Sequence, residues 1–258
     1  MVSESERAQY EELRAIVARL RAPDGCPWDR EQTHASLRPH LIQEAYEVIA
    51  VLDEGDTGRL PEELGDLLFQ ILIHSQLAEE TGEFSMADVL SHLAAKLVRR
   101  HPHVFGEVAL EGVDEAVSQW DALKRDERGA DSSALAGVPA AMPALALAQE
   151  LLARAARAGF AWPRREDVIE KMIEEAAELA RAEDATARAE EFGDLLLNLA
   201  NYGRYLEIDA EEALRLAAAK FRRRFERVER GARAAAKTLP ELSRAEQLER
   251  WAAAKAED

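Results

Sequence analysis

Two short acidic phrases recur in this chain. EELGD at 62–66 returns as EEFGD at 190–194, and an apolar run follows each, LLFQILI and then LLLNLA. A second acidic pair precedes each phrase, Glu44 with Glu47 and Glu175 with Glu178. Residues three or four apart share a helix face, so each pair projects together, as do Glu63 with Asp66 and Glu191 with Asp194. If the helix holding each first pair packs antiparallel to the helix holding the second, four carboxylates converge in each half of the chain. Four such groups cannot all stay ionised without a cation. Oxygen-only donors suit Mg²⁺, with Mn²⁺ as a substitute, and argue against zinc. The expected metal ligands are therefore Glu44, Glu47, Glu63 and Asp66 in the first half, and Glu175, Glu178, Glu191 and Asp194 in the second.

Polar residues continue down the same helices. Heptad spacing from Glu191 and Asp194 leads to Asn198 and Asn201, and the matching line from Glu63 and Asp66 passes Gln70 before Ile73. A polar seam on an otherwise apolar helix inverts the usual surface pattern and suggests a wet groove between helices. Cations follow in both halves: Lys96 and Arg100, then Lys220 and Arg224, each pair one turn apart. Trp120 with Lys124, and Trp251 with Lys255, repeat one i, i+4 relation. Cations beside a metal could share the charge of a triphosphate. Each feature alone has an ordinary explanation. Glu-x-x-Glu is common in a chain with 50 acids, acids favour helix N-termini, Lys/Arg pairs usually face solvent, and an indole fills a core. The ordered recurrence of the whole set is the signal.

The elements that must position these residues read as helices throughout. Tyr10, Leu13, Val17 and Leu20 recur at helical spacing behind a Ser3–Glu6 capping box. Further helices are expected over 38–53 and 61–80, from Ser85 to about Arg100, and around Trp120 and Lys124. Ala, Leu, Glu and Arg dominate, and hairpin-bounded alternation is missing, so the fold class is all-α. DERGADSSALAGVPAAMP, 126–143, reads as a linker. The offsets between the halves, 131 for Glu47 and Glu178 and 128 for Asp66 and Asp194, are too long for a solenoid repeat. They indicate two related helical domains in tandem, 1–125 and 144–258.

A formal charge of −17 disfavours nucleic acid and anionic membrane as partners, while KLVRR (96–100) and KFRRR (220–224) leave local basic clusters. The single Cys26 forms no internal disulfide, which fits a reducing compartment. No signal peptide and no stretch of membrane-spanning length is read, so a cytoplasmic protein is expected. There is no Gly-rich phosphate loop, and no histidine pair has zinc spacing with a partner cysteine.

Together these residues resemble the MazG-type nucleoside triphosphate pyrophosphohydrolases of the all-α nucleotide pyrophosphatase superfamily. The resemblance spans CPWDREQTHASL (26–37) to WAAAK (251–255), and its metal motif stands twice: QEAYE (43–47) with EELGD, and IEEAAE (173–178) with EEFGD. It implies Mg²⁺-dependent hydrolysis of nucleoside triphosphates to monophosphate and pyrophosphate, with a broad base range, in housecleaning or nucleotide-pool control. It implies Glu175, Glu178, Glu191, Asp194, Lys220 and Arg224 as catalytic residues. Trp251, Lys255, Lys96, Arg100, Trp120 and Lys124 become nucleotide-binding positions. It also implies a homodimer with four-helix-bundle-like cores. Two departures stand out. Gln43 replaces the acid found at Glu174, and Ala187, beside Arg188, stands where the family often has a basic residue. The C-terminal domain is thus the expected catalytic one. The competing reading is a helical regulatory protein that binds Mg²⁺–nucleotide without turnover.

Overall fold

The computed structural model describes residues 3–108, 112–129 and 133–257. Among them every regular element is helical, and no helix is long and apolar enough to cross a membrane. The chain divides into two compact units at Trp120/Asp121, and each is described by itself.

The first unit begins with α1 (Glu4–Arg21), started by the Ser3–Glu6 capping box expected from sequence. After the short α2 (Pro27–Glu31) come α3 (Arg38–Glu54) and α4 (Leu60–Thr81), which pack along one another as an antiparallel hairpin. Gly55 and Gly82 end these helices in the left-handed conformation, φ 68° and 72°, which glycine adopts without strain. α5 (Met86–Arg100) starts at a second capping box, Ser85 with Asp88. Val17, Leu37, Leu72, Ile73, Leu77 and Met86 form the core. Around it, Arg14 grips Glu79 with Nη2 2.7 and 2.9 Å from the two carboxylate oxygens, and Glu79 also accepts the Met86 N–H at 2.9 Å. One carboxylate therefore ties α1, α4 and the start of α5. α6 (Pro102–Phe105) follows, and α7 (Val113–Arg128) contains the boundary between the units.

In the stretch expected as a linker, residues 126–128 belong to α7 and residues 130–132 lie outside the described residues. The second unit then builds α8 (Ala144–Arg157), α9 (Arg165–Arg181), α10 (Ala185–Tyr205), α11 (Ala210–Ala234) and α12 (Arg244–Ala256). α9 and α10 form a hairpin like α3–α4, and α8 packs on α10 and α11. Gln149 of α8 holds the α10–α11 turn from both ends of its amide. Its Nε2 donates to the carbonyls of Ala200 (3.1 Å) and Ile208 (2.8 Å), and its Oε1 accepts from the Ala210 N–H (2.9 Å). α11 and α12 are joined through a 3₁₀ turn, Leu239–Glu241, and fastened by Lys237 and Glu246 at 2.7 Å. The core here is built of smaller residues, with Val168, Ala200, Ala232 and Ala254 buried.

The polar seam is present in space. Gln70 (4% exposed), Asn198 and Asn201 are buried on α4 and α10. The apolar runs of the same helices are less buried than their composition suggests: Leu64, Leu68, Ile71, Phe192, Leu196, Leu197 and Leu199 are exposed.

Candidate metal and nucleotide site

Hairpin packing of α9 on α10 brings three expected ligands together. Glu175, Glu178 and Glu191 each offer a carboxylate oxygen within 4.8 Å of the others, the one such group among the described residues. Glu175 is buried (4% exposed), while Glu178 and Glu191 are half-buried. Burial and the charges of Glu178 and Glu175 push the Glu191 carboxyl above the ordinary glutamate range, and its hydrogen bond with Glu175 and the charge of Asp194 add to this. Asp194 is exposed at the border of the trio, and its backbone carbonyl accepts from Asn198 Nδ2 at 3.0 Å. Three oxygen donors with no nitrogen or sulfur among them fit a hard divalent cation.

A residue that sequence reasoning passed over completes the cluster. Lys171 Nζ lies 2.9 Å from Glu175 Oε1 and 3.1 Å from Glu174 Oε1. Hydrogen bonds to these two acids hold the ammonium proton well above the ordinary lysine range. An i, i+4 Lys–Glu pair is commonplace on helices; only the burial of Glu175 distinguishes this one, and burial is invisible to spacing. Arg188, the basic neighbour of Ala187, points elsewhere. It donates to the carbonyls of Ala182 (3.2 Å) and Glu183 (2.8 Å), closing the α9–α10 turn.

The corresponding acids of the first unit are arranged differently. Burial, a hydrogen bond with Glu47 and the charges of Glu47 and Asp66 raise the Glu44 carboxyl, so these three acids sense one another across α3 and α4. Glu63 is buried and held by Arg59 at 3.1 Å, in the i−4 position that is Ala187 in the second unit. Gln43, in place of an acid, donates to Glu47 Oε1 at 3.1 Å.

The basic and aromatic residues form a second assembly in each unit. On α11, Lys220 and Arg224 alternate with Phe221 and Phe225, whose rings stack with centroids 6.0 Å apart. Trp251 of α12 lies 5.4 Å from Phe221. A groove of about 560 Å³ opens against Phe221, Phe225, Leu248, Trp251 and Arg244, a size in the range of small-molecule sites, roughly 300–1,000 Å³. Lys255 is exposed one turn beyond Trp251. In the first unit Lys96 and Arg100 end α5, and Trp120 packs on His101, the residue after Arg100, at 5.8 Å. The indole thus meets a ring beside the basic pair in each unit: His101, just after Arg100, in the first, and Phe221, between Lys220 and Arg224, in the second. Lys124 lies beyond the unit boundary, on α7.

The model of the MazG nucleotide pyrophosphohydrolase domain matches this chain twice, over residues 32–105 and 164–229. The matched segments contain both sets of acids and both Lys/Arg pairs, and stop short of Trp120 and Trp251. The chain is 42% identical over 250 residues to the nucleoside triphosphate pyrophosphohydrolase/pyrophosphatase MazG of Thermotoga maritima, covering 96% of each protein. It is 42% identical over 230 residues to a nucleoside triphosphate pyrophosphohydrolase of Escherichia coli K12, covering 86% of this chain and 88% of that protein. An uncharacterised protein of Bacillus subtilis, YabN, shares 39% over 252 residues, 96% of this chain but 52% of its own length. Two tandem carboxylate hairpins and two matched segments lead to one assignment: the chain belongs to the MazG nucleotide pyrophosphohydrolase family, a family of hydrolases, and carries its domain twice.

Proposed function

We propose that this protein hydrolyses nucleoside triphosphates between the α and β phosphates, releasing nucleoside monophosphate and pyrophosphate, at a divalent-cation site in the second unit. The observation that carries this reading is the convergence of Glu175, Glu178 and Glu191 within 4.8 Å. The names of the Thermotoga and Escherichia relatives support the reaction. The donor set favours Mg²⁺, with Mn²⁺ as a substitute. When bound, such a cation supplies charge neutralisation on the phosphates and a more acidic water.

The protein's own groups divide the remaining work. Glu175, Glu178 and Glu191 hold the cation, with Asp194 completing the set from the rim. Lys220, Arg224 and Lys255 offset the charge of the polyphosphate. Trp251, Phe221 and Phe225 offer ring faces rather than hydrogen-bonding edges to a base, and stacking of that kind is tolerant of base identity. That supports a broad base range, consistent with housecleaning or pool control. In the first unit, Lys96, Arg100 and Trp120 give a related basic and aromatic set in a unit whose acids are already partly paired, so a binding or regulatory role suits it better than turnover.

The exposed apolar residues of the two helix hairpins support a homodimer, in which two hairpins cover one another as a four-helix core. The single cysteine and the absence, among the described residues, of a helix that could cross a membrane are compatible with a cytoplasmic setting. The test of activity is product analysis with several nucleoside triphosphates, with Mg²⁺ or with chelator. Monophosphate and pyrophosphate that disappear on chelation and in Glu178→Ala establish the reaction. Turnover that survives chelation, or no turnover of any nucleotide, overturns it.

A further inference from the structure

Lys171 stands one turn before Glu175 on α9, its ammonium shared between Glu175 Oε1 at 2.9 Å and Glu174 Oε1 at 3.1 Å. Exposed pairs of this kind contribute little. Here the acceptor is buried, and it also meets Glu191 through a hydrogen bond and Glu178 across the cluster. A buried carboxylate facing two more acids requires a nearby positive charge. Position 187 offers none, and Arg188 is committed to backbone carbonyls. In the first unit the charge comes from the other side of the hairpin, with Arg59, the residue just before α4, on Glu63. The two units thus balance their acid clusters from opposite helices.

We propose that Lys171 is a resident counter-ion of the carboxylate site, which occupies Glu175 while no divalent cation is bound and yields that oxygen when the cation enters. This rests on the reading that the trio binds a divalent cation. Ammonium and metal compete for one oxygen, so Lys171 weakens cation binding. In exchange it holds the crowded acids together in the metal-free protein. Lys171 acts through Glu175 and is a positioning residue.

The test is Mn²⁺ binding to the nucleotide-free, full-length protein at low ionic strength, followed by titration calorimetry. The site in the second unit is identified as the one that Glu178→Ala removes. Lys171→Met is expected to bind Mn²⁺ there about tenfold more tightly, since a pair with one buried partner exceeds the worth of an exposed one. Lys171→Arg is expected to stay near the wild-type affinity. Thermal unfolding supplies the second readout. Lys171→Met should melt below wild type in chelator and regain the difference in saturating Mn²⁺. Unchanged or weaker Mn²⁺ binding in Lys171→Met overturns the counter-ion role, as does an equal loss of melting temperature with and without Mn²⁺. A wild-type protein with no Mn²⁺ site sensitive to Glu178→Ala refutes instead the metal reading on which this rests.

Discussion

Arg59 Nη2 sits 3.1 Å from Glu63 Oε1 at the head of α4, so the first acid of that motif is paired in the absence of any ligand. In the second unit the equivalent acid, Glu191, has no such partner one turn before it and stands within reach of Glu175 and Glu178. The two clusters therefore predict unequal sensitivity to mutation. Glu178→Ala should abolish turnover, since misplacing reacting groups by ~1 Å alone costs ~10²-fold. Glu47→Ala should leave most of it. Circular dichroism should show both variants folded, because neither residue belongs to the apolar core. An equal loss in the two variants would assign turnover to both units.

The fastening of α11 to α12 predicts a specific acid response. The ammonium of Lys237 and the N–H and hydroxyl of Ser243 pull the Glu246 carboxyl from 4.5 down to about 2. Between those values the unfolded chain binds more protons at this site than the folded one, so stability rises with pH across that window. The contribution of Glu246 is complete above pH 4.5 and is lost as the pH falls toward 2. Unfolding midpoints of wild type and Glu246→Gln should differ at neutral pH and converge in acid. A difference that persists unchanged into acid would show that packing, not charge, is at stake.

Core truncation separates stability from site chemistry. Ile73 is fully buried in the first unit, among Leu37, Leu72 and Leu77. Ile73→Ala should cost roughly 2–5 kcal/mol in chemical denaturation. If the second unit carries turnover, activity under folding conditions should be retained.

Gln149 links stability to ligand binding. Replacing it with leucine removes two bonds to carbonyls and one from the Ala210 N–H, at the turn from which α11 departs. A group left unsatisfied in the interior costs roughly 1–3 kcal/mol. Water can replace the bond to the exposed Ile208 carbonyl. Because α11 carries Lys220 and Arg224, Gln149→Leu should raise KM for a nucleoside triphosphate more than it lowers kcat. A fall in kcat alone would place the effect at the carboxylates.

The helices and their boundaries were legible because the local chemistry is explicit: Ser3 with Glu6, Ser85 with Asp88, and glycine at 55 and 82. The acidic pairs were legible because i, i+3 spacing and recurrence are sequence properties. What escaped depends on the third dimension. Spacing does not reveal that Glu175 is buried and Glu174 exposed, so Lys171 resembles any surface lysine. Gln149 is one amide in an alanine-rich helix, and its three partners lie 51 to 61 residues away. The exposure of Leu64, Leu68 and Phe192 ran against composition, which records that a run is apolar and not what covers it.

The change of helix between Arg59 and Lys171 bears on how such duplicated chains drift. After a doubling, a basic residue lost from one wall of a hairpin leaves the cluster viable so long as the opposite wall supplies one. Comparison of the two halves column by column would score Ala187 as a loss, although Lys171 on the opposite helix of the hairpin lies 2.9 Å from Glu175. What such a hairpin must hold is enough positive charge beside its buried acids, and either wall can carry it.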